Sequence, residues 1–183
     1  MCGIVGAVAQ RDVSPVLLEG LKRLEYRGYD SAGLAVMSHD KELQLLRVQG
    51  KVNELFKEHQ KSPLNGTTGI AHTRWATHGK PNVKNAHPHI CHDKVALVHN
   101  GIIENHEELR KEQMVSGFEF KSETDTEVVV NAIYEALESR LDLLHAVFNT
   151  TKKLQGAYAL GVINNTDPGR LIAVKKGSPL VIG

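Results

Sequence analysis

Apolar residues in this 183-residue chain occur as short runs of strand length, separated by stretches with helical spacing. The first run, residues 2–9, is rich in valine, isoleucine and small residues, which is typical of a buried strand. Leucines at helical spacing follow over residues 14–26, behind a Ser14-Pro15 pair that predicts an N-cap and a first-turn proline. The chain therefore opens with a strand and an amphipathic helix.

The remaining strands are grouped and do not alternate regularly with helices. We predict further strands at residues 32–37, 43–49, 68–75, 94–101, 157–164 and 170–176. We predict further helices at residues 51–60, 105–115, 128–137 and 141–154. Two of these helices follow a capping-box spacing, at Asn105 with Glu108 and at Thr124 with Glu127. Grouped strands favour an α+β fold with antiparallel sheets under outer helices, and we expect one domain over residues 1–183.

The charge balance and the cysteine content limit the classes of protein to which this chain can belong. The formal net charge is +1, from 22 basic and 21 acidic side chains, so the composition predicts no basic surface for nucleic acid. No apolar run approaches the roughly 20 residues that cross a bilayer, and no secretory signal pattern opens the chain. The two cysteines, Cys2 and Cys91, are too few for a disulfide framework. We therefore expect a cytoplasmic protein with neither a membrane nor a nucleic acid as partner.

Cys2 is the first candidate for chemistry because it directly follows Met1. Removal of Met1 would leave a thiol and a free α-amine on one residue, and an α-amine has a reference pKa of about 7.7–8.0. The amine can accept a proton near neutral pH, and a deprotonated thiol is a strong nucleophile. One residue can thus supply both nucleophile and base, with a water relaying the proton. The alternative is an incidental cysteine beside the start of the chain.

Residues 71–79, AHTRWATHG, place Arg74, Trp75, Thr77 and His78 where a predicted strand opens into a loop. An arginine can bind a carboxylate through two parallel hydrogen bonds, and the neighbouring tryptophan could cover a bound ligand. The alternative is a surface arginine beside a tryptophan that only packs.

Two further candidates lie at the end of a predicted strand and before a predicted helix. Asn100 and Gly101 could form an oxyanion hole, because the Asn100 amide and the Gly101 backbone N–H can donate to one oxygen. The alternative is a hairpin, since Asn-Gly is a common turn pair. Asp125 could bind a substrate ammonium group, although an acidic residue in a first helical turn also complements the helix dipole.

Histidines are concentrated in the middle of the chain, where seven of the ten lie between residues 72 and 106. The segment HPHICH at 87–92, with Cys91 as a thiolate ligand, suggests a zinc site. No CxxC or HExxH motif accompanies it, and a proline separates two of the candidate ligands. These features disfavour a metal, and a histidine-rich metal-binding module remains as an alternative of a different class.

Eight stretches of the chain resemble one family in collinear order and cover essentially its whole length. They are MCGIVGAV, LEYRGYDSAGLAV, GIAHTRWATHG, NAHPH, VHNGIIENHEELR, SETDTEV, LQGAYAL and GSPLVIG. Together they resemble the glutaminase half of the glutamine–fructose-6-phosphate aminotransferases (glucosamine-6-phosphate synthases), which are class II glutamine amidotransferases. The resemblance implies an N-terminal nucleophile hydrolase fold, a four-layer αββα sandwich with two antiparallel sheets.

The same resemblance implies an activity and its partners. L-Glutamine would be hydrolysed to glutamate and ammonia through a γ-glutamyl thioester, without a cofactor or a metal. In the full-length enzyme, a C-terminal isomerase domain of the same polypeptide would use the ammonia to convert fructose 6-phosphate into glucosamine 6-phosphate. That enzyme would be a homodimer, and the apolar ending GSPLVIG fits a following domain. The alternatives are the glutaminase half of another class II amidotransferase and a regulatory domain that binds glutamine without turnover.

The resemblance also assigns the catalytic positions. Cys2 matches the nucleophile, and its α-amine would be the base once Met1 is removed. Asn100 and Gly101 match the donors of the oxyanion hole. Arg27 matches a supporting residue near the nucleophile.

Five positions match contacts to the substrate. Arg74 matches the residue that binds the α-carboxylate of glutamine, and Asp125 matches the partner of its α-ammonium group. Thr77 and His78 match further contacts from the substrate loop. Trp75 matches a residue of the loop that closes over glutamine.

Overall fold

The strands form two four-stranded sheets in which every named pair is antiparallel. The structure, a computed structural model, describes residues 2–75 and 80–183 and, at Arg27, the backbone alone. The first sheet has the order β1-β4-β2-β3, with β1 at Gly3–Val8, β2 at Ser31–Met37, β3 at Leu43–Gln49 and β4 at Thr68–Arg74. The second has the order β5-β6-β7-β8, with β5 at His89–Cys91, β6 at Val95–Gly101, β7 at Tyr158–Asn164 and β8 at Ile172–Lys176.

Helices cover the outer face of each sheet. They are α1 (Ser14–Arg23), α2 (Val52–Lys61), α3 (His106–Val115), α4 (Glu127–Glu138) and α5 (Leu143–Lys153). Helices α1 and α2 share a buried cluster with the first sheet, and α3, α4 and α5 share another with the second. The expected four-layer αββα sandwich is therefore confirmed. Within residues 2–75 and 80–183, none of the helices is both long and apolar enough to span a bilayer.

A third, smaller cluster fills the space between the two sheets. Its buried members are Ala35, Ile70, Ala96, Val98 and Ile163. Neighbouring residues of β6 point to opposite sides, so that Val95 and Leu97 instead pack under the helices. Each sheet therefore buries both of its faces, and the two-residue period decides which side chains lie between the sheets.

The cap predicted at the start of the first helix was wrong. Helix α1 begins at Ser14, with Val13 as its N-cap residue. The Ser14 hydroxyl donates to the carbonyl of Leu64 at 2.6 Å, and the carboxylate of Asp12 accepts from the Ser14 backbone N–H at 3.1 Å. Ser14 therefore links the start of α1 to the segment at Leu64, while the Asp12 carboxylate accepts a hydrogen bond from a backbone N–H at the start of the helix. The helix also ends at Arg23, and a short 3₁₀ turn occupies Glu25–Arg27.

The capping box predicted at Asn105 was also wrong. Asn105 is the N-cap residue of α3, but its side chain makes no capping bond. Its Oδ1 accepts from the backbone N–H of Gln155 at 3.0 Å, and its Nδ2 donates to the carbonyl of Lys153 at 2.9 Å. The side chain therefore fixes the segment between α5 and β7, which no local pattern could indicate.

Candidate active site

A cavity of about 810 Å³ opens at one end of the space between the sheets. Its wall includes Cys2, Arg74, Asn100 and Asp125, four of the residues that the sequence singled out. The segment Ser178–Val181 forms part of the rim. Residues separated by about a hundred positions in the chain thus meet in one concave site, as expected for an active site.

The strand period explains why these side chains meet. Ile4, Ile70 and Val98 belong to the cluster between the sheets, on β1, β4 and β6. Cys2 lies two residues before Ile4, and Asn100 lies two residues after Val98, so each continues the same inward face. The apolar core between the sheets therefore gives way to functional groups at the end where the cavity opens.

Cys2 is held at the edge of the first sheet. Its Sγ accepts a hydrogen bond from the backbone N–H of Trp75 at 3.1 Å, and the next residue, Gly3, donates its N–H to Thr73 Oγ1 at 3.1 Å. Burial raises the pKa of the Cys2 thiol, and the Trp75 N–H and the charge of Arg74 oppose that shift only in part. The thiol is therefore mostly protonated at neutral pH, and a reaction at sulfur needs a base.

Asn100 lies beside this cysteine. Its Nδ2 donates to the carbonyl oxygen of Cys2 at 3.3 Å, which places the amide N–H group next to the thiol-bearing residue. The hairpin alternative was wrong, because Asn100 and Gly101 are the last residues of β6 and pair with Ala159 and Tyr158.

Gly101 has no room for a side chain. Its φ is +123°, and a Cβ atom there would lie 2.1 Å from the carbonyl oxygen of Ala157. Any other residue would clash with that backbone and adopt a disfavoured conformation. The glycine thus lets β6 end against β7 at the cavity wall.

Arg74 is a buried arginine, so the alternative of a surface side chain was wrong. Only 4% of its side chain is exposed, and its Nη1 lies 4.0 Å from Asp30 Oδ1. Burial lowers the pKa of Arg74, and Asp30 opposes that effect. Asp30 also donates its backbone N–H to the Arg74 carbonyl at 2.8 Å, so it fixes both ends of the arginine. A buried cation in the wall of a cavity is suited to binding a carboxylate.

Asp125 presents a buried carboxylate to the same cavity. The backbone N–H of Ile103 donates to its Oδ2 at 2.9 Å, and its Oδ1 lies 4.0 Å from His99 Nδ1. The expected place in a first helical turn was wrong, because α4 begins two residues later, at Glu127. The carboxylate is therefore held by the backbone just after β6, with His99 of β6 nearby, and not by the helix dipole.

The loop that carries Asp125 is fixed by a second carboxylate. Glu127 accepts hydrogen bonds from the backbone N–H groups of Lys121 and Ser122, at 2.8 and 2.7 Å, and from the Ser122 hydroxyl at 2.6 Å. Thr124 Oγ1 instead contacts His89 Nε2 at 3.1 Å, so the capping box predicted there was wrong. The contacts of Thr124 and Glu127 thus fix the loop before α4 instead of capping the helix.

Trp75 lies at the mouth of the cavity, with 53% of its surface exposed. Its indole packs on Gly28, whose φ is +71° and where a Cβ would approach Trp75 Cζ3 to 2.7 Å. Thr77 and His78 lie outside the described residues, as does the side chain of Arg27.

Four histidine side chains lie buried together beside the cavity: His72, His87, His89 and His99. The ring centroid of His87 lies 4.3 Å from that of His72 and 4.7 Å from that of His89. Burial lowers the pKa of all three of these rings, to about 3 for His72. Among the residues that the structure describes, no three histidine, cysteine, aspartate or glutamate side chains converge as a metal site.

From the sequence, Asp30, His72 and Glu127 had no predicted role in this site, although His72 was counted among the clustered histidines and Glu127 was expected in a helix cap. His72 alternates with Ile70 and Arg74 on β4, so the strand period could have placed it on the inward face. Asp30 acts through its contacts with Arg74 at the end of β4, and Glu127 through hydrogen bonds from backbone N–H groups of the loop before α4, and the sequence pattern predicted neither.

Comparison with known proteins gives a consistent result. A family model described as a glutamine amidotransferase domain matches residues 72–179. The whole chain is 57% identical to glutamine–fructose-6-phosphate aminotransferase [isomerizing] of Legionella pneumophila (strain Lens) and 58% identical to that of Pseudomonas putida. It spans 30% of the length of each of these relatives.

Solved structures with the same fold include glutamine phosphoribosylpyrophosphate amidotransferase from B. subtilis, with a TM-score of 0.77 and 25% sequence identity. The similarity covers 90% of this chain and 35% of that one. An allosteric regulatory enzyme of purine biosynthesis also has a TM-score of 0.77, at 26% identity over 90% of this chain and 36% of its own.

Proposed function

Because this chain belongs to the glutamine amidotransferase family, we propose that it hydrolyses the side-chain amide of glutamine, with Cys2 as the nucleophile. The observation that carries the proposal is the placement of Cys2 and Asn100 in one cavity with Arg74 and Asp125. This set combines a nucleophile, an oxyanion donor and two opposite charges, which is what cleavage of a zwitterionic amide requires.

The two charged residues bind the main-chain end of glutamine. Arg74 pairs with the α-carboxylate and Asp125 with the α-ammonium group, through charge-assisted hydrogen bonds. Both side chains are almost fully buried, so water weakens neither interaction. The substrate amide then extends toward Cys2, while Trp75 covers the bound amino acid and Thr77 and His78 make further contacts with it.

The reaction begins with transfer of the thiol proton. Removal of Met1 exposes the α-amine of Cys2, which takes up that proton through a water molecule, and the sulfur attacks the amide carbon. The raised pKa of the thiol makes this base necessary. The amide oxygen becomes an oxyanion that accepts hydrogen bonds from Asn100 Nδ2 and the backbone N–H of Gly101.

The tetrahedral intermediate then breaks down in two stages. The protonated α-amine returns its proton to the leaving nitrogen, the C–N bond breaks, and ammonia departs from a γ-glutamyl thioester on Cys2. A water molecule gives a proton to the α-amine and attacks the thioester carbon, which releases glutamate and restores the thiol. Arg27, in the 3₁₀ turn after α1, is the proposed supporting residue for the nucleophile. No step needs a metal or a cofactor.

The longer protein implied by the relatives would use the ammonia elsewhere. This chain spans 30% of the relatives named glutamine–fructose-6-phosphate aminotransferase, which leaves room for a C-terminal isomerase domain. We propose that the ammonia converts fructose 6-phosphate into glucosamine 6-phosphate there, in a cytoplasmic homodimer. The isolated chain would release ammonia and form no amino sugar.

Ammonia release from glutamine by protein that begins at Cys2 tests the proposal. We expect Cys2→Ala to abolish the release, because Cys2 is the only cysteine among the described residues that line the cavity. Cys91→Ala is the matched control, since Cys91 is buried under the helices of the second sheet. It should keep near wild-type turnover. Equal turnover by wild type and Cys2→Ala would refute the proposal.

A further inference from the structure

His72 connects the core between the sheets to the oxyanion donor. It lies on β4 with its side chain fully buried, and its Nε2 is 2.9 Å from two oxygens. One is the backbone carbonyl oxygen of His99, and the other is Oδ1 of Asn100. Since a carbonyl oxygen can only accept, Nε2 must carry the proton and donate to both.

We propose that His72 is a positioning residue that fixes the side-chain amide of Asn100, so that its Nδ2 faces the reacting substrate oxygen. This inference rests on the proposed glutaminase function. The amide of an asparagine can turn over by 180°, which exchanges its donor and acceptor ends. An oxyanion hole works in only one of these two orientations, because the acceptor end would repel the developing negative charge.

Contacts at both ends of the amide favour the working orientation. Oδ1 accepts from His72 Nε2, and Nδ2 donates to the carbonyl oxygen of Cys2 at 3.3 Å. Turning the amide over would set two N–H groups against each other at His72 and two oxygens against each other at Cys2. Both ends therefore oppose the inactive orientation.

The tautomer of His72 is itself fixed by its surroundings. The His99 carbonyl requires a proton on Nε2, while Nδ1 is buried and has no hydrogen-bond partner among the described residues. Protonating Nδ1 would bury an unpaired charge, near the charge of Arg74. The ring therefore stays neutral, and its single N–H points at the two oxygens.

Two amide replacements separate positioning from packing. In His72→Gln the side-chain nitrogen lies the same number of bonds from Cα as His72 Nε2, so it can still donate to Asn100. In His72→Asn the same amide group is one bond shorter and cannot reach. We expect His72→Asn to lower kcat for glutamine about 10- to 100-fold, as partial loss of one oxyanion donor would. His72→Gln should stay within about fivefold of wild type.

The KM for glutamine should change less than about threefold in both variants, because Arg74 and Asp125 are untouched. In an Asn100→Ala background, His72→Asn should cause no further loss of kcat, since His72 acts only through Asn100. Equal losses in the Gln and Asn variants, a loss confined to KM, or an undiminished effect in the Asn100→Ala background would each overturn the inference.

The ¹⁵N chemical shifts of the His72 ring give a test that needs no variant at this position. We expect a protonated Nε2 and an unprotonated Nδ1 in the folded wild-type protein, and the opposite tautomer would overturn the inference.

The glutaminase activities of wild type and Cys2→Ala are measured in parallel. Absence of glutaminase activity in wild type would refute the proposed function, while the ring tautomer would still decide the role of His72.

Discussion

At the residue scale, the cavity wall presents one buried cation and one buried carboxylate, which the proposed function pairs with the two charges of a free amino acid. Arg74 and Asp125 are both almost fully buried in the cavity wall. Under the proposed function, the distance from these two side chains to Cys2 sets how long the substrate must be. Asparagine carries the same two charges but is one carbon shorter, so its amide carbon would fall about 1.5 Å short of the sulfur. This geometry favours glutamine, because a misplacement near 1 Å can lower a rate about 100-fold.

The role of Asp125 can be tested with two substrates. We expect Asp125→Asn to raise the KM for glutamine about 10- to 150-fold, since a hydrogen bond to a charged group contributes about 1.5–3 kcal/mol. Glutaramate lacks the α-ammonium group, so its kcat/KM should be nearly the same in wild type and in the variant. Steady-state ammonia release measures both values.

The matched control is Asp12→Asn. Asp12 also accepts hydrogen bonds from backbone N–H groups of a loop, but it does not line the cavity. The Asp12→Asn variant should have a lower free energy of unfolding and an unchanged KM for glutamine. An equal loss with glutamine and glutaramate in Asp125→Asn would show that Asp125 only supports the loop.

At the element scale, seven of the eight strands that the structure describes were predicted from the sequence, whereas the short β5 (His89–Cys91) and the helix caps were not. Strand β4 was expected at 68–75 and spans Thr68–Arg74, because a buried strand has a recognisable composition and length. The caps at Ser14 and Asn105 failed because their side chains bond to distant segments, whose proximity depends on the tertiary fold. The same short polar motif can occur at a true helix cap and at a position whose side chain bonds to a distant segment.

The same limit applies to the end of β6. Locally, Asn100-Gly101 reads as a hairpin turn, yet the pair completes a strand, and its chemistry depends on β1 and β4 of the other sheet. The oxyanion hole was one of two local interpretations of the pair, and the resemblance to a family favoured it over the hairpin. The contact of Asn100 with His72 could not be predicted, because it depends on how the two sheets face each other.

At the scale of the whole molecule, the meeting of the two sheets places neutral histidines in the interior. Burial lowers the pKa of His72, His87 and His89 in the folded protein, while the unfolded chain titrates near 6.5. Below pH 6.5 the unfolded state therefore binds more protons, so stability is full above this pH and falls as the pH decreases.

We expect the free energy of unfolding to fall by up to about 3 kcal/mol between pH 6.5 and 5.5, since each ring goes from about half to about nine-tenths protonated in the unfolded chain and contributes up to about 1 kcal/mol over this range. Urea unfolding at a series of pH values measures this slope. His89→Gln should make the slope shallower, whatever its effect on stability at pH 7.5. His39→Gln, at an exposed position, should leave the slope unchanged. A stability that is constant from pH 7.5 to 5.5 would contradict the burial of neutral rings.

The most direct test of the proposed mechanism compares the rate of ammonia release by two forms of the same chain, one beginning at Cys2 and one retaining Met1. In the second form the Cys2 nitrogen is a peptide N–H that cannot act as a base. A general base contributes about 10²- to 10⁴-fold, so we predict that the form with Met1 is at least 100-fold slower. Equal rates for the two forms would contradict a mechanism in which Cys2 supplies both the nucleophile and the base.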